Sequence, residues 1–315
     1  ADNTDDVLAR EHELMRAADL LVVTSDWLHE ETRRHNPNCL TIRNATQYEH
    51  FCEPPAEVFR DPHGRRVIGY YGAIAEWFDV ELVEQVARRH PDCLVLLVGA
   101  DTAGAQRRLG HLDNVQFTGE VPYARLPFYL HAFDVCLLPF HVVPLTLATN
   151  PVKIYEYLSA GREVVSVALP EMRQFGDLVR TGGDGPAFLA ALDAALQAPG
   201  DAAMVARRRA FAAGQTWRHR ATDLMEAVEA LPQPRVSVVV LCYNNASFTR
   251  ACLNSLEKYS DYPNLELIAV DNASSDETPA LLSAWAAAAP GRRHIANGSN
   301  LGFAGGNNVG LAAAT

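Results

Sequence analysis

The stretch "DVCLLPFHVVPLTLATNPVKIYEYLSAGREVVSVA", Asp134–Ala168, holds in order an apolar run, a polar loop, an amphipathic segment of helix length and a second apolar run. The two runs, "DVCLLPF" (Asp134–Phe140) and "EVVSVA" (Glu163–Ala168), do not alternate with polar residues. Each therefore predicts a strand buried on both faces. Between them "PVKIYEYLSAG" (Pro151–Gly161) opens on a proline suited to a first helical turn and closes on a glycine. Strand, loop, helix and strand in this order make the crossover of a parallel sheet.

The same alternation extends on both sides. Upstream lie "DLLVVTS" (Asp19–Ser25), "CLTIRN" (Cys39–Asn44), "VIGYYG" (Val67–Gly72), "CLVLLVG" (Cys93–Gly99) and "NVQFTG" (Asn114–Gly119), with helix candidates such as "DVELVEQVARRH" (Asp79–His90) between them. The pattern predicts an α/β chain with a Rossmann-like parallel sheet, which binds ligands at the carboxyl ends of its strands. Asp201–Ala230 reads as two helices broken near Gly214, and "LPQPR" (Leu231–Arg235) reads as a linker. A second alternation follows: strands at Arg235–Asn244, Leu265–Asn272 and Arg292–Asn297, helices at Ser247–Ser260 and Asp276–Ala289, then a glycine-rich loop leading into a last helix. Ser275 or Asp276 is expected to cap the second of these helices.

The expected boundaries are 1–65, 66–230, a linker at 231–235, and 236–315. The first segment offers only two strands, and the last, with about 80 residues and three strands, is small for a sheet of this class. A fragment of a longer polypeptide accounts for both.

The chain has 315 residues, is 48% hydrophobic and 21% charged, and carries a formal net charge of −11. That charge argues against a nucleic-acid partner or a polybasic membrane anchor, while leaving room for phosphate held by local amides and a few cations. No apolar run approaches the ~18 residues of a membrane span. The start, "ADNTDDVLAREHELM", is too polar and acidic for a signal peptide, which points to a cytoplasmic location. The six cysteines form no CxxC pair and are expected to be reduced. Four N-x-[ST] sequons, at Asn44, Asn245, Asn272 and Asn297, are expected to be unmodified.

Two constellations carry chemistry. In the first, Lys153, Glu156 and Tyr157 lie near the start of the Pro151–Gly161 helix, where free amides and the positive end of the dipole suit a phosphate. Lys153 adds a point charge for a diphosphate, and a carboxylate one turn further in can accept two ribose hydroxyls. The same residues also describe an ordinary amphipathic helix with a solvated Lys–Glu pair.

"NPVKIYEYLSAGREVVSV" resembles the donor-site helix of the GT-B-fold glycosyltransferases of the broad family 4 group. Asp19–Ala230 follows that family's order, with "GYYGAIAEWFDVELV" similar to its first strand–helix turn and "TWRHRATDLM" to its terminal helix. The resemblance implies a GT-B C-terminal domain with a remnant of the N-terminal domain before it. It implies that Glu156 binds the donor ribose, that Lys153 and the Gly72 backbone approach the diphosphate, and that Asn150 lies beside them. The family's E-x7-E pattern is interrupted: Ala148 stands where the first glutamate would contact the donor sugar.

The second constellation is "VSVVVLCYNN", "VDNASSDET" and "SNLGFAGGNN". Strand ends at Tyr243–Asn244 and Asp271–Asn272 fall side by side on the ligand edge. Asp271 could accept from a pyrimidine N–H and Tyr243 could pack on the base. Asn300 and the Gly305–Gly306 pair could lie beneath a nucleotide where a Cβ would obstruct it. Turn chemistry is the alternative for each piece. Together they resemble the first half of a GT-A-fold, family 2 glycosyltransferase of the bacterial rhamnosyltransferase kind, a truncated α/β nucleotide-binding domain in which the Asp271 position recognises the base. The D-x-D motif and the catalytic base of that family are missing, so no cofactor is expected here; Mg²⁺ or Mn²⁺ belongs only to a complete GT-A domain.

The resemblance implies a hexosyltransferase-type enzyme using UDP-, GDP- or dTDP-linked sugars and a glycan or lipid-linked acceptor in bacterial surface polysaccharide assembly, with a peripheral place at the inner membrane open to the whole protein. By the same resemblance the GT-B half would retain and the GT-A half invert the anomeric configuration. A nucleotide-sugar-binding or docking module without activity is the alternative, favoured by Ala148. A nicotinamide-dependent oxidoreductase is disfavoured because neither "GYYGAI" nor "GFAGGNNVG" is a G-x-G-x-x-G on the first strand–helix turn.

Overall fold

The computed structural model describes residues 4–198 and 200–315. They divide into two compact units, Ala1–Ala230 and Leu231–Thr315.

In the first unit, β1 (Leu21–Val23) and β2 (Cys39–Thr41) form a two-stranded parallel sheet. The main sheet comprises β3 (Arg66–Tyr71), β4 (Cys93–Val98), β5 (Val115–Gly119), β6 (Val135–Leu138), β7 (Glu163–Val167) and β8 (Arg180–Gly182), all parallel, in the order β5-β4-β3-β6-β7-β8. The chain builds outward from β3 in one direction, then starts again at β6 and builds outward in the other. The switch point is therefore the seam between β3 and β6, where the helices that follow the two strands part and leave a crevice at the carboxyl edge.

The apolar runs become strands because helices cover both faces. All six residues of β4 are buried. The helix Val80–Arg89 buries Leu82, Val83, Val86 and Ala87, one face at helical spacing, and Asp79 caps it by accepting from the Leu82 amide at 2.8 Å. Gly69 in β3 is a packing requirement, since a Cβ there would lie 2.2 Å from the Phe133 ring. Gly214 does separate two helices, Ala202–Ala213 and Trp217–Glu229.

Two features differ from the sequence expectation. The strand β8 escapes it because Arg-Thr-Gly is neither apolar nor long. The loop after β6 contains one helical turn, Pro144–Leu147, in which Thr146 Oγ1 accepts from the Val143 amide at 3.0 Å.

The second unit is a parallel sheet of β9 (Val236–Cys242), β10 (Leu265–Asp271) and β11 (Arg292–Ala296) in the order β11-β10-β9. Its helices are Ala246–Tyr259, Thr278–Ala287 and Gly302–Ala313. The last contradicts the expected loop: "GFAGGNNVG" is helical from Gly302 onward. The reason is steric. A Cβ on Gly306 would lie 2.4 Å from Leu241, and one on Gly310 2.2 Å from Val239, so these glycines let the helix settle directly on β9. No helix among the described residues is long and apolar enough to cross a membrane, and all six cysteines are free.

Candidate functional site

At the carboxyl end of β3 the chain turns at Gly72, with φ of +128°, a conformation that L side chains rarely adopt. Its amide donates to the Val98 carbonyl at 2.8 Å. The helix Val152–Ser159 starts across the seam, after β6 and its loop. It brings Lys153 over Gly72. The Lys153 Nζ lies 5.4 Å from the Tyr70 ring centroid and 5.3 Å from that of Phe140, within cation–π range of both. Burial pushes the ammonium down to about 8, partly countered by Glu156. Trp77, Phe140, Thr149, Asn150 and Lys153 are among the walls of a cleft of about 330 Å³.

Glu156 is 6% exposed. Its Oε2 accepts from the Tyr71 hydroxyl at 2.7 Å. Burial raises its pKa, against the opposing effects of that hydrogen bond and of Lys153. Tyr123, stacked on His50 with ring centroids 4.8 Å apart, is pushed up to about 12 by burial and by Glu156. The site thus holds one cation and one carboxylate on consecutive turns of a helix, both partly withdrawn from water.

Asn150, in the wall of that cleft, is also tied into the protein. It is 1% exposed and its side chain is spent on the protein: Oδ1 accepts from the Asn44 amide at 2.9 Å and from the Tyr155 hydroxyl at 3.1 Å, while Nδ2 donates to Glu171 at 2.8 Å. It holds the loop from its place in the cleft wall. Glu171, absent from the sequence reading, is the hub beneath it. Its carboxylate accepts from the Asp26 amide at 2.8 Å, from Arg43 Nε at 2.9 Å and from Gln174 Nε2 at 3.0 Å, as well as from Asn150. Nothing in a single Glu in "LPEMRQF" signals partners that lie up to 145 residues away. Ala148 sits at the end of the Pro144–Leu147 turn, and its carbonyl accepts from Ser25 Oγ at 2.7 Å.

In the second unit, Tyr243 is exposed beyond β9 and Asp271 is buried at the end of β10. Asp271 Oδ1 accepts from the Ser274 amide at 3.1 Å. Asn244, in the left-handed region at φ of +56°, ties the two strand ends together: its amide donates to Ser274 Oγ at 2.8 Å and its Oδ1 accepts from the Ser275 amide at 2.9 Å. Asn300 Oδ1 accepts from Asn272 Nδ2 and from the Gly302 amide, both at 2.8 Å. Asn272, 2% exposed and read as a strand end and a sequon, organises this edge, its Oδ1 accepting from Asn297 Nδ2 and the Leu301 amide. Gly306 faces Leu241 in the sheet and not a ligand cavity, which corrects the expectation for it; Gly305 lies in the same helix, where a Cβ would press on Leu301 at 2.9 Å. Asp276 serves two helix starts, accepting from the Thr278 amide at 2.9 Å and the Ala246 amide at 3.1 Å.

A divalent ion needs several free oxygen ligands. Both oxygens of Asp276 and one of Asp271 are engaged by amides. Among the described residues the one grouping of three potential ligand atoms is His90, Asp92 and Cys93, in the first unit at the amino end of β4.

Comparison with known proteins bears on what this edge does. Residues 65–207 match the family model described as Glycosyl transferases group 1, and residues 237–315 match Glycosyl transferase family 2. TuaH of Bacillus subtilis (strain 168), by name a teichuronic acid biosynthesis glycosyltransferase, is 28% identical over a region covering 67% of this chain and 57% of TuaH. The chain thus spans little more than half the length of that relative. Anabaena Alr3699/HepE in complex with UDP superposes with a TM-score of 0.59 at 16% identity, covering 69% of this chain and 65% of that one. The catalytic domain of starch synthase IV from Arabidopsis thaliana, bound to ADP and acarbose, gives 0.53 at 12% identity, covering 69% and 57%. At these identities the likeness shows the fold, which is of GT-B type. These relatives favour a transferase over a module that only binds. The two matches fall one in each compact unit, the group 1 model in the first and the family 2 model in the second.

Proposed function

We propose that the crevice between β3 and β6 binds a nucleotide-diphosphate sugar, and that the chain serves glycosyl transfer from such donors in the assembly of a bacterial surface glycan. The observation that carries this reading is the convergence of Gly72, Lys153 and Glu156 at the switch point of the six-stranded sheet. Glu156 accepts from the ribose hydroxyls, its oxygens prepositioned by Tyr71. Lys153 and the amides at the start of its helix face the diphosphate, and Gly72 leaves room for both. The uridine nucleotide in the HepE structure makes UDP the first candidate, ahead of GDP and dTDP. The name of TuaH supports a cell-surface polysaccharide as the product, with a glycan or lipid-linked acceptor. In the second unit Asp271 is assigned to a nucleobase and Tyr243 to packing against it, while Asn244 and Asn300 shape the loops around them.

Calorimetric titration of UDP, GDP and dTDP tests the reading. One nucleotide is expected to saturate a single site in the first unit, and Glu156→Ala to weaken it by about tenfold or more, the loss of charge-assisted hydrogen bonds. Absence of binding by all three, or an unchanged Kd in the variant, rejects the assignment.

A further inference from the structure

Beside the cleft that holds Lys153 lies a second one of about 430 Å³, bounded by Ala75, Glu76, Phe78–Glu81, Thr102, Arg108 and His141. The two are divided by a backbone seam, in which the His141 amide donates to the Trp77 carbonyl at 2.8 Å and Phe78 bridges Phe140. Trp77 and Phe140 face the first cleft, Phe78 and His141 the second.

The second cleft contains an imidazole beside a carboxylate. Asp79 spends Oδ1 on the helix cap and places Oδ2 3.5 Å from His141 Nδ1. A carboxylate on that side favours the tautomer with its proton on Nδ1, which leaves Nε2 as an acceptor. Among the described residues Nε2 has no hydrogen-bond partner in the protein, and the side chain is 46% exposed. The charge around it is acidic. Glu76 and Glu81 are exposed on the rim; Arg108 bonds Glu84 through Nε at 2.9 Å and places a second nitrogen 4.0 Å from Glu81. The wall keeps more carboxylates than cations and offers acceptors to hydroxyl donors.

We propose that this cleft is a carbohydrate subsite in which His141, oriented by Asp79, accepts a hydrogen bond from a pyranose hydroxyl. The proposal rests on the nucleotide-sugar reading of the neighbouring cleft. The hydroxyl can come from the sugar of the donor or from a free or acceptor sugar, and the chemistry that recognises it is the same.

The test uses the whole chain with two variants. Asp79→Asn keeps the helix cap, because Asn caps as well as Asp, and His141→Phe keeps the ring. The donor arm compares affinities for UDP, UDP-glucose and UDP-N-acetylglucosamine. The second arm measures saturation transfer to glucose, galactose, rhamnose and N-acetylglucosamine. Both variants are expected to bind UDP as the wild type does and to lose about tenfold, the effect of one polar contact, in one arm; the arm affected identifies the source of the sugar. Wild-type affinity in both arms for both variants, or no contact with any of these sugars in the wild type, overturns the subsite. Failure of UDP itself to bind instead overturns the reading of the first cleft.

Discussion

The side chain of Lys153 occupies the space that a Cβ on Gly72 would need: such an atom would lie 2.9 Å from Lys153 Cε and 3.1 Å from Nζ. The turn after β3 and the helix after β6 are thus fitted to each other across the seam, and the cation is placed by an absent side chain. Gly72→Ala is expected to strain the backbone, at φ of +128°, by about 1–3 kcal/mol and to push Lys153 off its position. Nucleotide affinity should fall with it. A Kd equal to that of the wild type would show that Lys153 does not act from where it stands.

The depressed ammonium makes binding depend on pH. Lys153 loses its proton as pH rises through about 8, so affinity for UDP should fall above that pH, approaching tenfold per unit. Lys153→Arg should remove this dependence, since a guanidinium stays charged. Stability moves the other way. With a folded value of about 8 against 10.5 for the exposed group, the unfolded chain binds more protons between those values, so this residue's contribution to stability rises with pH across that window. Flat UDP affinity from pH 7 to 9.5 would remove Lys153 from the site.

Glu171 is expected to hold the N-terminal segment to the donor loop. Glu171→Gln leaves the Arg43 guanidinium, 26% exposed, without its buried partner, at a cost of about 3 kcal/mol. Asp26→Asn, which removes the other Arg43 contact, involves a carboxylate 71% exposed and should cost under about 1 kcal/mol. Urea unfolding of the two variants distinguishes them, and equal midpoints would contradict the hub.

Gly306→Ala puts a methyl group 2.4 Å from Leu241 and should destabilise the second unit by about 1–3 kcal/mol through overpacking. Gly298→Ala, with nothing within 4 Å, is the control and should be near neutral. Amide exchange in β9 and β10 reads the difference; equal protection in both variants would mean that the helix does not rest on the sheet at Gly306.

Most of the strands were legible in the residues. "CLVLLV" can be satisfied only when buried on both faces, and the Asp79 cap and the spacing of Leu82, Val83 and Val86 announce a helix. The short β8 was not legible, because its pairing with β7 comes from register and not from its own residue types. The place of Lys153 and Glu156 on a helix start was legible. Gly306 was misassigned, since its missing side chain makes room for Leu241 of the sheet. A polar side chain or a glycine beside a ligand edge looks the same in sequence whether it faces a cavity or the protein.

The sequence by itself determined the elements and their parallel order, because burial on both faces and helix capping are local demands on residue type. The tertiary structure alone decided which strand ends meet. The seam between β3 and β6 joins Gly72 to a lysine 81 positions later, Glu171 gathers partners from three separate segments, and Asp79 turns toward His141. Those contacts depend on strand order and on the shape of the packed core, which no local pattern encodes.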